Sequence, residues 1–365
     1  MTTPSNPTVA QLIGCFGGGG AQSLALNLVT GCGKLGLGSL GIAVRTAGVV
    51  AGAAEIVELD ADRHNLLAVA SSLRRTVRER RVDVLHVHGQ DAVAFAGLAL
   101  SGMRRPPRLC FTWHDSQEVL NARGARRWAT IRALRRCERV WGSSRSVAER
   151  LDRAAGLGGR VAVFRNGVDA TGPSRRTADE VPTVLWAARF IPPKDPHALV
   201  RAAARLRDEG HKFRVVIAGD ALPHLQWLVE ETRALVARHG LGEVVSMPGW
   251  VRHAPDAVLA ASIAVQTSHT EGLSMSLLEQ MMAGLAVVAT NVGDTECAIR
   301  DGQQGLLVPA GDDAALVAAL RRVVADADLR VQLGAAARAR ALDEFSTEAM
   351  TRRAVEAYRG MHEDR

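Results

Sequence analysis

Short apolar runs and longer helical stretches alternate along almost the whole of this 365-residue chain. The apolar runs fall at residues 9–13, 41–44, 82–87, 109–113 and 161–164, and again at 183–187, 214–218, 244–247, 263–266 and 306–308. Helix-like stretches stand between or after them, among them 21–30, 66–80, 92–101, 314–326 and 346–360. Strand, helix and strand in succession favour parallel pairing with the helix as crossover, so the pattern predicts α/β sheets wound on both faces. Such sheets take ligands at the carboxyl ends of their strands. The chemistry is therefore expected just after the apolar runs.

A chain of this length exceeds what one ordinary core covers, and two domains follow. Between 170 and 182 the composition shifts to Thr, Pro, Ser, Arg and Asp, which marks a break. The expected division is a first domain at 1–170, a linker at 171–182, a second domain at 183–345 and a last helix at 346–365.

Several strand ends carry polar groups. The first strand runs into Gly17, Gly18, Gly19 and Gly20, where glycines before a helix let backbone N–H groups approach a ligand. His86 and His88 close one strand and His114 with Asp115 another. A lone His is more often a structural hydrogen-bonding group than a catalyst. A metal site beginning at His86-x-His88 lacks a matching cluster nearby, so no metal is expected. Asp60-Ala61-Asp62 is read as helix capping. Gly31 to Gly36 matches a dinucleotide-binding spacing by letter but ends a helical pattern, and Lys34 is followed by Leu35, which removes a phosphate-loop reading. After the strand at 183–187 come Arg189 and Lys194, with Asp195 as N-cap and Pro196 at the first helical position. Two cations beside a helix start suit a diphosphate, Arg gripping two oxygens and Lys adding a point charge.

The stretch at 269–289, HTEGLSMSLLEQMMAGLAVVA, brings Glu271, Gly272, Leu273 and Ser274 to another helix start. Ser274 is the expected N-cap, and the remaining N–H groups favour an anion. Glu279, a turn further in, can accept two hydroxyl hydrogen bonds, as from a ribose. The bland alternative for either acid is a surface carboxylate on an amphipathic helix.

Glu271 and Glu279 at this spacing, followed by AGLAVVATNVG and DGQQGLLVPAGD, resemble the E-x7-E element of the retaining glycosyltransferases of family GT4. The resemblance extends to the NGVD turn at 166–169, to RFIPPKDP at 189–196 and to FTWHDS at 111–116. It departs at Ala286, where the family often has Pro, and at Gln280, where it often has Ala. It implies the GT-B fold, two doubly wound Rossmann-like domains facing across a cleft. It also implies a metal-independent hexosyltransferase that moves a sugar from a nucleoside-diphosphate sugar, a UDP-sugar above others, to an acceptor hydroxyl. By the same resemblance, Arg189 and Lys194 hold the donor's phosphates, Glu279 its ribose and Glu271 its sugar. His114 then meets the sugar from the facing domain, while Gly18 and Gly19 close on the donor or acceptor. The rivals are a nucleotide-sugar epimerase of the same fold and a non-catalytic nucleotide-sugar-binding subunit. The acceptor, a glycan or a small molecule such as a secondary metabolite, leaves no readable motif.

The net charge of +7 admits anionic partners. With aromatic residues at 4%, there is little for bases to stack on, so nucleic acid is not expected. Residues 123–141 hold seven arginines with Trp128, Ile131, Leu134, Cys137 and Trp141 at helical spacing. That predicts one basic amphipathic helix, for which packing on its own domain ranks above contact with anionic lipid. No uninterrupted apolar run of membrane-spanning length occurs, and the start MTTPSNPT lacks a basic leader, so a cytoplasmic protein is expected. Five cysteines at wide spacing give neither a disulfide framework nor a zinc site, and no cofactor is expected.

Overall fold

The computed structural model describes residues 6–16, 20–46, 55–59, 61–62, 65–114, 123–175, 181–249 and 254–363. The chain forms two compact units, residues 1–167 with 347–365, and residues 168–346.

The first unit runs β1 (Thr8–Phe16), α1 (Gly20–Lys34), β2 (Gly38–Thr46), β3 (Ile56–Glu58), α2 (Leu66–Glu79), β4 (Val84–His88), α3 (Gln90–Leu100), β5 (Arg108–Trp113), α4 (Gly124–Arg136), β6 (Arg139–Gly142), α5 (Arg145–Ala155) and β7 (Val161–Val163). Among the described residues its strands pair in parallel in the order β3-β2-β1-β4-β5-β6-β7. The strand order reverses between β1 and β4, which opens the crevice characteristic of doubly wound sheets at that point. The alternation within each strand explains the two layers. Ala10, Leu12, Leu85, Val87 and Phe111 face one side, and Val9, Val84 and Cys110 the other. Both sides are covered, as the near-continuous apolar runs required.

The second unit runs β8 (Thr183–Ala187), a 3-10 turn at Pro192–Lys194, α6 (Pro196–Asp208), β9 (Arg214–Ala218), α7 (Gln226–Arg238), β10 (Val245–Gly249), α8 (Ala254–Leu259), β11 (Ile263–Gln266), α9 (Met275–Met282), β12 (Ala286–Thr290), α10 (Thr295–Ala298), β13 (Gly305–Val308), α11 (Asp313–Ala325) and α12 (Ala327–Glu344). Its described strands are also parallel, in the order β10-β9-β8-β11-β12-β13, with the reversal between β8 and β11. Residues 171–175 lie along this unit: Ser174 N–H donates to Ala283 O and Arg175 N–H to Leu259 O, each at 2.8 Å. The chain then ends in α13 (Thr347–Glu363), which belongs to the first unit. It packs Met350, Ala354, Val355, Tyr358 and Met361 against Leu24, Leu28 and Val84. Each such fully buried aliphatic side chain contributes about 1.5–3 kcal/mol against its exposed state.

Two expectations are corrected. The basic helix does not run to residue 141: α4 ends at Arg136, Cys137 is extended, and Val140 and Trp141 pair as strand with Phe111 and Thr112 of β5. Strand pairing overrides the helical stripe because Val140 is 2% and Trp141 7% exposed in the sheet core. On α4 itself Trp128 is 65% exposed, with the Arg132 guanidinium 5.5 Å from its ring centroid. The cap of α2 is Asn65, whose side chain accepts from Ala68 N–H at 3.1 Å, and not the acidic pair before it, of which Asp60 lies outside the described residues. The strand β12, the buried AVVAT run, follows α9 directly after Gly284 and is a fully buried parallel strand.

Candidate active site

In the second unit the switch point falls between β8 and β11, and the loops that follow those strands carry the expected residues. The loop after β8 is pinned to the loop after β11 by Thr267. Its hydroxyl accepts from Trp186 Nε1–H at 3.1 Å and lies 2.9 Å and 2.7 Å from the carbonyl oxygens of Lys194 and Asp195. His269 N–H donates to Pro193 O at 2.7 Å, and His269 Nε2 lies 3.2 Å from Asp195 Oδ2. Asp195 adopts φ +39°, a left-handed conformation that non-glycine residues rarely hold. It is kept there by its work as N-cap, accepting from Ala198 N–H at 3.1 Å, with Pro196 next.

These braces set two side chains together. Lys194 Nζ pairs with Glu271 Oε1, and Ser268 Oγ donates to the same oxygen at 3.0 Å. Their side chains are 19% and 11% exposed, so the pair is only partly solvated. Arg189 is exposed, and its guanidinium has no hydrogen-bond or ion-pair partner among the described residues. Glu271 is followed by a backbone crossing that only glycine permits. Gly293 sits at φ +58°, and a Cβ there would overlap the carbonyl oxygen of Glu271. Asp294 N–H donates to Gly272 O at 3.1 Å, closing the crossing. On the other side a Cβ on Gly219, after β9, would overlap Ala188 O beside Arg189.

Ser274 caps α9, its hydroxyl accepting from Leu277 N–H at 3.4 Å, and Ser276 Oγ donates to Ala187 O at 2.7 Å, tying the first turn to the end of β8. Gly272 is buried and Leu273 half-buried. Glu279 keeps a water-facing surface while protein packs around its carboxylate; that desolvation, and after it the charge of Asp169, raise its pKa. Asp169 was not among the expected site residues, and its charge acts on Glu279 from a position far away in the chain.

In the first unit Gly18 and Gly19 lie outside the described residues, as does Asp115. His114 stands just past β5, half-buried, its Nε2 2.9 Å from His88 Nδ1. His88 and His86 are 1% and 0% exposed, and each ring nitrogen of both meets a protein partner. Burial holds His86 down at about 3 and His114 at about 4, and His88 well below the usual imidazole range, mutual repulsion adding to it for His86 and His88. All three imidazoles are therefore neutral at pH 7. Among the described residues no group of three or more His, Cys, Asp or Glu is arranged to hold a metal ion. Nor is any described helix long and apolar enough to cross a membrane.

Residues 18–171 match the family model described as Glycosyltransferase Family 4, and residues 171–340 the model described as Glycosyl transferases group 1. Among curated proteins, the chain is similar to a D-inositol 3-phosphate glycosyltransferase of Streptomyces scabiei, 34% identical over 188 residues, covering 50% of this chain and 42% of that protein. The chain spans about two fifths of the length of the first curated relatives it matches. Among solved structures, a glycosyltransferase from Rickettsia africae superposes with TM-score 0.82 at 18% identity, covering 99% of this chain and 100% of that one. Alr3699/HepE of Anabaena, solved in complex with UDP, gives 0.78 at 20% identity, covering 97% and 100%.

Proposed function

The chain belongs to the family 4 glycosyltransferases with the GT-B fold, and from that premise we propose that it moves a hexose from a nucleoside-diphosphate sugar, a UDP-sugar first, to an acceptor hydroxyl with retention of configuration. One observation carries the reading. At the switch point of the second sheet, an exposed Arg189, the Lys194–Glu271 pair and the Ser274-capped start of α9 stand on adjacent loops.

In this reading the diphosphate lies against Arg189, Lys194 and the N-terminal end of α9. These groups stabilise the charge that grows on the leaving oxygen as its bond to the anomeric carbon breaks. The acceptor oxygen forms the new bond to that carbon on the face the nucleotide leaves, its proton passing to the departing diphosphate oxygen. Glu279 accepts the two ribose hydroxyls, and that interaction draws its raised pKa back towards the charged form. Glu271 accepts from hydroxyls of the sugar while Lys194 holds it in place. His114 is assigned a contact to the sugar, as the resemblance implies.

Because the cations in this scheme are side chains, transfer proceeds without a metal. The acceptor is a hydroxyl of a polyol, a glycan or another small molecule. An epimerase of the same fold would change the sugar without an acceptor, and a binding subunit would leave it intact.

The test is a thermal-shift panel of nucleoside diphosphates and nucleotide sugars, followed by NMR of the product formed with an acceptor mixture. A donor that binds the folded state raises its midpoint by mass action. Stabilisation by UDP and its sugars, with a product of retained anomeric configuration in EDTA, is expected. Absence of any nucleotide effect, or transfer restored only by magnesium or manganese, overturns the reading.

A further inference from the structure

Three neighbouring strands of the first sheet put polar side chains on one face: Gln11 of β1, His86 and His88 of β4, and Thr112 of β5, with His114 just beyond. The register sets Gln11 beside His86 and His88 beside Thr112. Lower on the same face the positions are apolar, Val9, Val84 and Cys110, so the polar residues form a ladder that climbs towards the carboxyl edge. Tyr358, the only tyrosine of the chain and 0% exposed, enters the ladder from α13.

The contacts make one unbroken chain. Tyr358 Oη lies 2.7 Å from His86 Nδ1, and His86 Nε2 lies 2.8 Å from Thr112 Oγ1. Gln11 Nε2 donates to Tyr358 Oη at 3.2 Å, while Gln11 Oε1 lies 2.9 Å from His88 Nε2. His88 Nδ1 then lies 2.9 Å from His114 Nε2. A neutral imidazole has one donor and one acceptor nitrogen, so each link dictates the next. Gln11 Oε1 can only accept, which places the hydrogen of His88 on Nε2 and leaves Nδ1 as a lone pair. That lone pair requires a hydrogen on His114 Nε2. His114 Nδ1, which has no partner among the described residues, is left as an acceptor. The chain works only in one sense at a time: turning the Gln11 amide over reverses every hydrogen and makes His114 Nδ1 a donor.

We propose that Gln11, whose amide donates to Tyr358, and His88 are positioning residues that fix the ring tautomer of His114, so that its Nδ1 accepts a hydrogen bond from a hydroxyl of the bound ligand. In the functional reading given above, on which this rests, that hydroxyl belongs to the donor sugar. Burial strengthens the device, because an unsatisfied polar group in this core carries the full cost of desolvation and the alternatives with a broken link are disfavoured.

The experiment reads the tautomer and the turnover separately. In protein with 15N-labelled histidine, long-range proton–nitrogen correlation assigns which ring nitrogen of His114 is protonated, the His114→Gln variant identifying its signals. The wild type is expected to show a protonated Nε2 and a bare Nδ1. Gln11→Leu, which removes both links, should give a mixture of tautomers and lower kcat by about tenfold with little change in KM for the donor. Gln11→Glu keeps an acceptor for His88 and should restore the single tautomer and most of the rate. Tyr358→Phe, which loosens the aim of the amide, should fall between. Hydrogen exchange of β1 and β4 checks that the variants keep the fold. A wild-type His114 protonated on Nδ1, or Gln11→Leu with a single unaltered tautomer and full kcat, overturns the proposal. Should no nucleotide sugar be turned over by the wild type, the functional reading fails, while the NMR result still decides the tautomer.

Discussion

At its switch point the second unit gathers the side chains of Arg189, Lys194 and Glu271 on loops with access to water. At the corresponding place the first unit gathers Gln11, His86, His88 and Thr112, buried and neutral. The strand topology is closely parallel in the two, so the sheet does not choose the chemistry. Depth chooses it. Residues on loops past the strand ends keep part of their hydration and can remain ionised, which suits a ligand with two phosphates. Residues on the strands themselves lose their hydration, which suits a rigid, hydrogen-bonded support that presents one half-buried imidazole.

The largest expected effect separates the two units by acid. The imidazoles of the first unit have pKa values depressed in the folded state, so the unfolded chain binds more protons below about pH 6.5. Stability is therefore fully present above 6.5 and is lost as pH falls towards about 4 for His114 and about 3 for His86. Each of these imidazoles costs about 1.4 kcal/mol per pH unit within its window, so going from pH 7 to 5 should remove about 4 kcal/mol from the first unit. Hydrogen exchange at β4 and β5 should accelerate on acidification far more than at β11 and β12. Equal acceleration in both sheets would erase the contrast.

Next in size is a backbone change confined to the second unit. Gly293→Ala brings a Cβ into the Glu271 carbonyl at a left-handed φ, and should cost on the order of 2–4 kcal/mol. Chemical denaturation followed at the Trp186 region should register the loss, and donor affinity should fall with it. An alanine variant as stable as the wild type would mean that the crossing is looser than its geometry indicates.

The charged groups themselves come third. Arg189→Ala or Lys194→Ala should weaken nucleoside diphosphate binding by about tenfold or more, since each removes a charge-assisted contact worth roughly 1.5–3 kcal/mol. Calorimetry should also divide the two acids: Glu279→Ala weakens diphosphate and donor alike, whereas Glu271→Ala spares the diphosphate and weakens the donor. Because Lys194 pairs with Glu271, the double variant should lose less than the sum of the single ones. Additive losses would place the two side chains in separate roles. The smallest effect sharpens the comparison by showing what lies outside both centres: Trp128→Ser on the exposed face of α4 should alter stability by less than about 0.5 kcal/mol and leave diphosphate binding unchanged.

What was legible in the sequence was what is local. Ser274, Asp195 and Pro196 announce helix starts through contacts within three residues, and the structure has each in that place. The strands Thr183–Ala187, Arg214–Ala218 and Ile263–Gln266 were bounded from their apolar runs alone. Residues Arg139–Gly142 misled because a helical stripe of Trp and Cys continued into them, and only pairing with β5 and β7 reveals the strand. The Lys194–Glu271 pair joins positions 77 apart and the Gln11–Tyr358 bond positions 347 apart. Neither distance leaves a periodic trace. A polar Gln inside an apolar strand, a His repeated two residues on, and a single Tyr in the whole chain were the only available hints.

The return of α13 to the first unit bears on the order in which the protein can mature during synthesis. When residue 167 leaves the ribosome, the sheet face around Val9, Val84 and Cys110 still lacks Met350, Val355, Tyr358 and Met361. Another 179 residues must be translated before α13 begins, about 10–40 s at usual elongation rates. The second unit, contiguous from 168 to 346, is complete when that interval ends, while throughout it the nascent first unit shows an uncovered apolar face to the cell's chaperones. A chain released after residue 346, and so lacking α13, should therefore show a protease-resistant second half and a protease-sensitive first half, the reverse of the order in which they were made.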